Sequence, residues 1–347
     1  MRFCSITRKP VSCMGGETAW IRIIAETQPI LVISAIQPRL LRSCMKYKHE
    51  NIKEYVLPLS QAIELRQLVL DIIKQECDVI FLNDICGING EILEIILKSK
   101  IYCLLIVHEG NPYQCSQWIH AAKHVDKIVI FDKLYKKHVI PQDYRRKTVD
   151  LGHPVPYINT MPNRKDLIIS LLVRSCDWKL FRNDIIMMES IARFNNISIA
   201  IIGTTKECIS IVKELKLSNI ICIPTIPPSF LSKIIGKTQV VLPLRIPSAS
   251  GKILFPTQVL ESFNPYTPII APRYNDFFMT TSIMKKVIAG YLNTSIITFT
   301  EFSQIVQAIK EKYLNKYLLD EWKLNYQNFY KHYNSRKWIK RIMEILS

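Results

Sequence analysis

The sequence holds ten cysteines but no Cys-x-x-Cys pair. A zinc ribbon and a thioredoxin-type redox motif both need that spacing, so neither is expected. No run approaches the roughly 18 apolar residues of a membrane span, and the N-terminus lacks an unbroken apolar signal core. Neither a membrane-crossing helix nor an export signal is expected. No Asp-x-Asp occurs, which argues against a divalent cation held by closely spaced carboxylates. No internal repeat or low-complexity tract is visible. Acidic residues are few beside basic ones: 29 Asp and Glu against 46 Lys and Arg, a formal charge of +17. That excess favours an anionic partner such as nucleic acid, an anionic membrane face or a phosphorylated substrate. An AT-rich genome that spells surfaces with Lys and Ile gives the same excess, so charge alone names no partner.

What is present reads as a folded protein. The chain of 347 residues is 48% hydrophobic and 22% charged, long enough for two domains with a core each. The cysteines stand singly. Cys103 and Cys222 lie in apolar runs, where a thiol acts as a small hydrophobe. This usage suits a reducing cytosol; the expected location is cytoplasmic, with a peripheral contact at the inner membrane face left open.

Short β-like runs alternate with longer helix-like stretches, the pattern of parallel sheets with crossover helices. In the first half, strands are predicted at Arg2 to Thr7, Ile30 to Ile36, Asp78 to Leu82, Ile101 to Val107 and Lys127 to Phe131. Helices are predicted at Leu59 to Gln75, Glu91 to Lys98 and Trp118 to His124. Leu151-Gly-His-Pro-Val-Pro-Tyr157, with Pro162 beyond, reads as a linker. The pattern then restarts. Strands are predicted at Leu167 to Val173, Ile197 to Ile202, Ile220 to Ile223, Val240 to Leu242, Pro268 to Ala271 and Ile296 to Phe299. Helices are predicted at Asp184 to Arg193, Thr205 to Leu215, Phe230 to Ile235, Gln258 to Phe263 and Phe302 to Tyr313. From Tyr317 the chain is helical and aromatic, and Trp322, Tyr326, Phe329 and Trp338 read as packing anchors. The predicted fold class is α/β: two doubly wound Rossmann-like domains, residues 1–160 and 161–320, with a helical tail over 321–347 packing back toward the first.

The stretch Asp166 to Lys179 carries the most chemistry. Its apolar run ends in Arg174, and Lys179 follows five residues later. In α/β sheets, ligands collect at the carboxyl ends of strands. An Arg fork and a Lys point charge there suit a diphosphate; two surface cations on a basic protein are the alternative. Gly15 and Gly16 follow the first strand and would admit a phosphate close to backbone, or make only a turn. His108 closes the strand from Ile101, with Glu109 beside it. His120, His124 and His153 read as structural or surface residues. Ser250, Gly251 and Lys252 would offer amides and a charge to phosphate or sugar, a plain loop being the alternative. Glu261 would accept two hydroxyls.

In this order the segments resemble the GT-B glycosyltransferases, and most closely the nucleotide-sugar family 4 group, over nearly the whole chain. Gly15-Gly16 resembles that family's glycine loop, and His108-Glu109 its His-Asp element. Arg174 and Lys179 resemble its paired cations, and Ile201-Ile202-Gly203 its strand end. Ile223 to Pro243, Gly251 to Pro268 and Asn334 to Leu346 resemble its later segments. Arg174-x4-Lys179 with Trp178 also resembles phage α-glucosyltransferases that modify DNA. The resemblance implies a retaining, metal-independent hexosyltransferase with a nucleotide-diphosphate sugar as co-substrate and no further cofactor. It makes His108, Arg174 and Lys179 the catalytic candidates. Gly15, Gly16, Arg174, Lys179, Ser250, Gly251, Lys252 and Glu261 are the donor-binding candidates. The acceptor would be a glycan, a lipid-linked glycan or a protein. DNA with modified bases is the alternative acceptor, and a catalytically inactive GT-B binding subunit is a second alternative. The sequence departs from the family where Ile253 takes the first position of its Glu-x7-Glu pair, where Thr238 replaces an Asp, and at Asn264-Pro265-Tyr266, where a small glycine turn is usual.

Overall fold

A computed structural model describes residues 1–8, 10–11, 18–36, 49–58, 66–83, 85–86, 88, 90–107, 115–157, 168–173, 182–204, 206–224, 231, 234–244, 253–254, 257–272, 279–280, 282–292, 299–313 and 316–347. The chain begins β1 (Phe3–Thr7), α1 (Ala19–Ala25), β2 (Ile30–Ile36), β3 (Ile52–Pro58), α2 (Arg66–Glu76), β4 (Val79–Asn83), α3 (Gly90–Leu97) and β5 (Tyr102–Val107). It continues α4 (Ser116–His124), β6 (Lys127–Ile130), α5 (Lys133–His138), β7 (Thr148–Asp150), β8 (Ile168–Val173), α6 (Arg182–Asn195), β9 (Ser198–Thr204) and α7 (Lys206–Glu214). Then come β10 (Ile220–Pro224), β11 (Val240–Leu244), α8 (Thr257–Ser262), α9 (Ser282–Val287), α10 (Phe299–Ala308), α11 (Lys316–Tyr333) and α12 (Ser335–Leu346). The chain divides into two compact units, one of Met1–Val155 with Tyr333–Ser347, the other of Pro156–His332.

The first unit is built on a seven-stranded parallel sheet in the order β3-β2-β1-β4-β5-β6-β7. Its central strands are apolar on both faces because helices cover both: all five residues of β1 and of β4 are buried. The direction of strand order reverses between β1 and β4, where an open α/β sheet leaves a crevice at its carboxyl ends. An aromatic cluster fills the core beside that point. Trp20 of α1, Phe81 of β4 and Trp338 of α12 are each no more than 1% exposed, with ring centroids 5.2 to 6.0 Å apart.

Three elements of this unit have no counterpart in the sequence reading. Helix α1 is buried all round, Arg22 included, so it shows no amphipathic stripe. Strand β3 carries charges on a sheet edge, where Lys53 pairs with Glu76 at 2.7 Å. Strand β7 is three residues long. The aromatic tail is two helices rather than one. The side chain of Asn334 accepts from the Lys337 amide at 3.0 Å and starts α12. Within the first unit, Trp338 donates its indole N–H to the Gly152 carbonyl at 2.9 Å, and Arg341 donates to the Leu151 carbonyl at 2.9 Å. Gly152 has φ +65, and a Cβ there would lie 2.3 Å from the Tyr333 ring.

The second unit has a four-stranded parallel sheet, β10-β9-β8-β11. A bridge from Val241 to Ile269 continues it toward a short parallel pair, Ile270–Pro272 with Gly290–Leu292. Ile169, Leu171, Ile199, Ile201, Val240 and Leu242 of the sheet form its core with Met188 of α6 and Phe302 of α10. Trp322, Tyr326 and Phe329 of α11 are buried around Phe263, as packing anchors, with ring centroids 5.1 to 5.4 Å from it. Of the predicted strand at Ile296 to Phe299, residues 296–298 lie outside the described residues and Phe299 opens α10. The predicted helix at Phe230 to Ile235 is described only in part.

The expectation of single thiols is corrected for six cysteines. Cys4 is bonded to Cys77, Cys86 to Cys115 and Cys208 to Cys222. The partners are 73, 29 and 14 residues apart, so short-range spacing could not show them. Cys103 is free and buried, and burial first, then the Asp126 charge, pushes its thiol up to about 12. Among the described residues no helix is long and apolar enough to cross a membrane.

Two outcomes follow. Trp338→Ala should cost about 3 to 5 kcal/mol and lower the urea midpoint followed by circular dichroism. Phe194→Ala, at a side chain 90% exposed, should change stability by under about 0.5 kcal/mol. Cys103 should resist a thiol-alkylating reagent at pH 8 in the native chain and react once urea unfolds it, read by peptide mass.

Candidate functional site

In the second unit the site is approached through its strand ends. Strands β8 and β11 are parallel neighbours, in register from Ile169↔Val240 to Val173↔Leu244. Strand order reverses between them: β9 and β10 lie on one side of β8, and β11 on the other. Arg174 is the residue after Val173, and the segment carrying Ser250, Gly251 and Lys252 leaves Leu244. The two candidate phosphate-binding segments thus depart from adjacent strand ends at the topological switch point, where α/β sheets take ligands. Arg174, Lys179, Ser250, Gly251 and Lys252 themselves lie outside the described residues.

A third strand end closes on the same place. Gly203, next to last in β9, has φ +90, and a Cβ on it would lie 2.2 Å from the Val173 carbonyl oxygen. Only glycine tolerates both that backbone angle and that approach. The sequence reading noted Gly203 only as a motif end; its steric role comes from the fold.

Glu261 lies on α8. The turn after this helix is built by Asn264, which is fully buried. Its side-chain oxygen accepts from the Tyr266 and Thr267 amides, each at 2.9 Å, and its side-chain nitrogen donates to the Ser262 carbonyl at 2.9 Å. The Trp322 indole N–H donates to the Asn264 carbonyl at 2.8 Å. An Asx turn thus does here what a glycine turn would do by backbone freedom alone. Thr238 has a local role as well: its hydroxyl donates to the Ile235 carbonyl at 2.8 Å, and its own carbonyl accepts from the Thr267 hydroxyl at 3.0 Å. Ile253 lies in a two-residue strand paired with Met279 and Thr280.

In the first unit, Gly15, Gly16, His108 and Glu109 lie outside the described residues. The first two follow β1, and the others follow β5. The switch-point strand ends are polar and buried: Thr7 of β1 sits in register with Ser34 of β2 and Asn83 of β4. The Trp20 indole N–H donates to the Asn83 side-chain oxygen at 3.1 Å. Val11, after β1, is held on both sides. Its N–H donates to a Glu54 carboxylate oxygen at 2.7 Å, and its carbonyl accepts from Arg22 at 3.3 Å. Burial pushes the Glu54 carboxyl above the ordinary range, and hydrogen bonds from Val11 and Ser34 draw it partly back. Neither Glu54 nor Arg22 was singled out from sequence, because their partner is backbone. The remaining histidines hold positions in the fold. His153 is buried against Phe131, with ring centroids 4.8 Å apart. His120 faces Glu94 and stacks on His124.

No protein-family model and no curated protein matches this sequence. Solved structures do match. HepE of Anabaena, in complex with UDP-glucose, is 13% identical with a TM-score of 0.63, covering 100% of this chain and 99% of its own. An α-glucosyltransferase solved with UDP-glucose and DNA containing an abasic site is 14% identical with a TM-score of 0.61, covering 100% of both chains. The UDP-GlcNAc 2-epimerase of Neisseria meningitidis, bound to UDP-GlcNAc, is 12% identical with a TM-score of 0.58, covering 100% and 99%. These likenesses, with the two parallel sheets, define a protein of two Rossmann-like α/β domains. The fold is GT-B, completed by a C-terminal helix.

Gly203→Ala should cost about 2 to 4 kcal/mol, since a Cβ there meets backbone as well as an unfavourable φ. Gly90, with nothing within 4 Å of an added Cβ, should change stability by under about 1 kcal/mol on conversion to Ala. Urea midpoints of the two variants decide this.

Proposed function

We propose that this protein is a glycosyltransferase that moves a hexose, with retention of anomeric configuration, from a nucleoside-diphosphate sugar to a glycan, lipid-linked or protein acceptor. The observation that supports this most is the departure of two segments from adjacent strand ends in the second unit, one with Arg174 and Lys179, the other with Ser250, Gly251 and Lys252. In this reading Arg174 and Lys179 neutralise the diphosphate and the charge that grows on it as the glycosidic bond breaks. Glu261 accepts the ribose hydroxyls. Gly15 and Gly16 bring backbone to the diphosphate, and His108 binds the transferred sugar or orients the acceptor. The leaving phosphate takes the acceptor proton. The chain's own cations stand where other transferases place a divalent metal, which agrees with the lack of Asp-x-Asp. Retention follows from the motif resemblance to family 4.

A second reading makes modified bases in DNA the acceptor. The similarity to an α-glucosyltransferase solved with DNA and the charge of +17 favour it. The enzyme would then follow phosphates through its cations and flip its base out of the stack.

The test is a thermal-shift screen of nucleoside diphosphates and their sugars, followed by transfer assays on duplex DNA with modified bases and on vesicle-borne glycolipid acceptors. A ligand that binds only the folded chain raises its melting temperature. Arg174→Ala and Lys179→Ala should each weaken diphosphate binding about tenfold or more, as loss of a charge-assisted contact predicts, without lowering the melting temperature of the free protein. Chelation with EDTA should leave transfer unchanged. A chain that binds no nucleotide and hydrolyses no donor would be the inactive GT-B subunit instead.

A further inference from the structure

We propose that Glu54 and Arg22 are positioning residues for donor binding, acting by fixing both ends of the segment that carries Gly15 and Gly16. This rests on the reading of those glycines as donor contacts. Val11 stands four residues before Gly15 and is 2% exposed. Its N–H donates to Glu54 Oε1 at 2.7 Å, and Ser34 Oγ donates to the same oxygen at 3.4 Å. On the other edge of the chain, Arg22 Nη1 donates to the Val11 carbonyl at 3.3 Å. The same Nη1 donates to Thr18 Oγ1 at 2.8 Å. Thr18 is the residue at which α1 begins. One buried guanidinium therefore joins residue 11 to residue 18, and the six residues between them include both glycines.

The physical case is one of entropy and charge. Glycine loses more freedom than any other residue when it is ordered. A loop with two glycines that binds an anion through its amides would lose that freedom on binding, at the expense of affinity. Fixing the ends of the loop in the free protein moves part of that cost into folding. Each grip joins a charged side chain to a backbone group, the stronger kind of hydrogen bond. Arg22 is only 5% exposed, and burying a guanidinium is unfavourable for stability unless it is well partnered. An aliphatic residue would serve α1 packing at least as well. What an aliphatic side chain lacks is the ability to hold a loop at two points.

The experiment combines hydrogen exchange by mass spectrometry with titration of UDP and UDP-glucose on the full chain. Its variants are Glu54→Ala, Glu54→Gln, Arg22→Lys and Arg174→Ala. In Glu54→Ala, peptides covering 9–18 should exchange about tenfold faster while those covering β4 and β5 are unchanged, and affinity for UDP-glucose should fall about tenfold, the equivalent of one charge-assisted contact. Glu54→Gln keeps an acceptor for the Val11 amide and should stay within about threefold of wild type, as a neutral hydrogen bond in place of a charged one allows. Arg22→Lys cannot reach two acceptors in a fixed plane and should behave like Glu54→Ala. Unchanged exchange over 9–18 in Glu54→Ala overturns the grip itself. Faster exchange with wild-type affinity, while Arg174→Ala binds poorly, overturns the donor role and leaves the proposed function standing. A wild-type chain that binds neither nucleotide sinks the donor reading, and the inference with it.

Discussion

A missing side chain sets the geometry of the second unit. At residue 203 the backbone turns to a positive φ and passes so close to the Val173 carbonyl that no Cβ fits. Because β8 lies between β9 and β11, this approach determines how the end of the central strand sits against its neighbour, one residue before Arg174. Parallel pairing does the rest. It brings Val173 level with Leu244, so segments 70 residues apart in sequence leave the sheet at one edge. A diphosphate needs several donors converging on one point, and carboxyl ends at a switch point supply that convergence without any single strong motif.

The first unit uses the same principle with a different anchor. Its switch point is bordered by buried polar ends, Thr7 and Asn83, and the loop after β1 is gripped by a carboxylate and a guanidinium rather than by steric fit. Both units place irregular chain where function is expected and attach it to a rigid parallel sheet, the arrangement that lets loops carry chemistry. The fold does not choose the reaction. An epimerase and a DNA-solved glucosyltransferase both share it with this chain. The choice rests on the cations and carboxylate proposed for the strand ends.

The C-terminal segment shows how far packing departs from composition. Its aromatics look like one helical stripe, yet Trp322, Tyr326 and Phe329 surround Phe263 in the second unit, while Trp338 joins Trp20 and Phe81 in the first. The change occurs at Asn334, whose side chain caps α12. Gly152, beside the Tyr333 ring, lets the chain pass where any larger residue would collide.

The sequence by itself determined the alternation of strands and helices, the α/β class, the buried role of the late aromatics and the strand after which Arg174 falls. These depend on local apolar runs and periodicity, which act over a few residues and are written in order. Tertiary structure alone decided that β3 and β7 complete the first sheet and that α1, buried on every side, is a helix. It also decided that Cys4 meets Cys77, that Gly203 abuts Val173, and that Glu54 reaches Val11 across 43 residues. Such pairings depend on which strands become neighbours, and in a parallel sheet neighbours are set by crossovers rather than by adjacency in the chain.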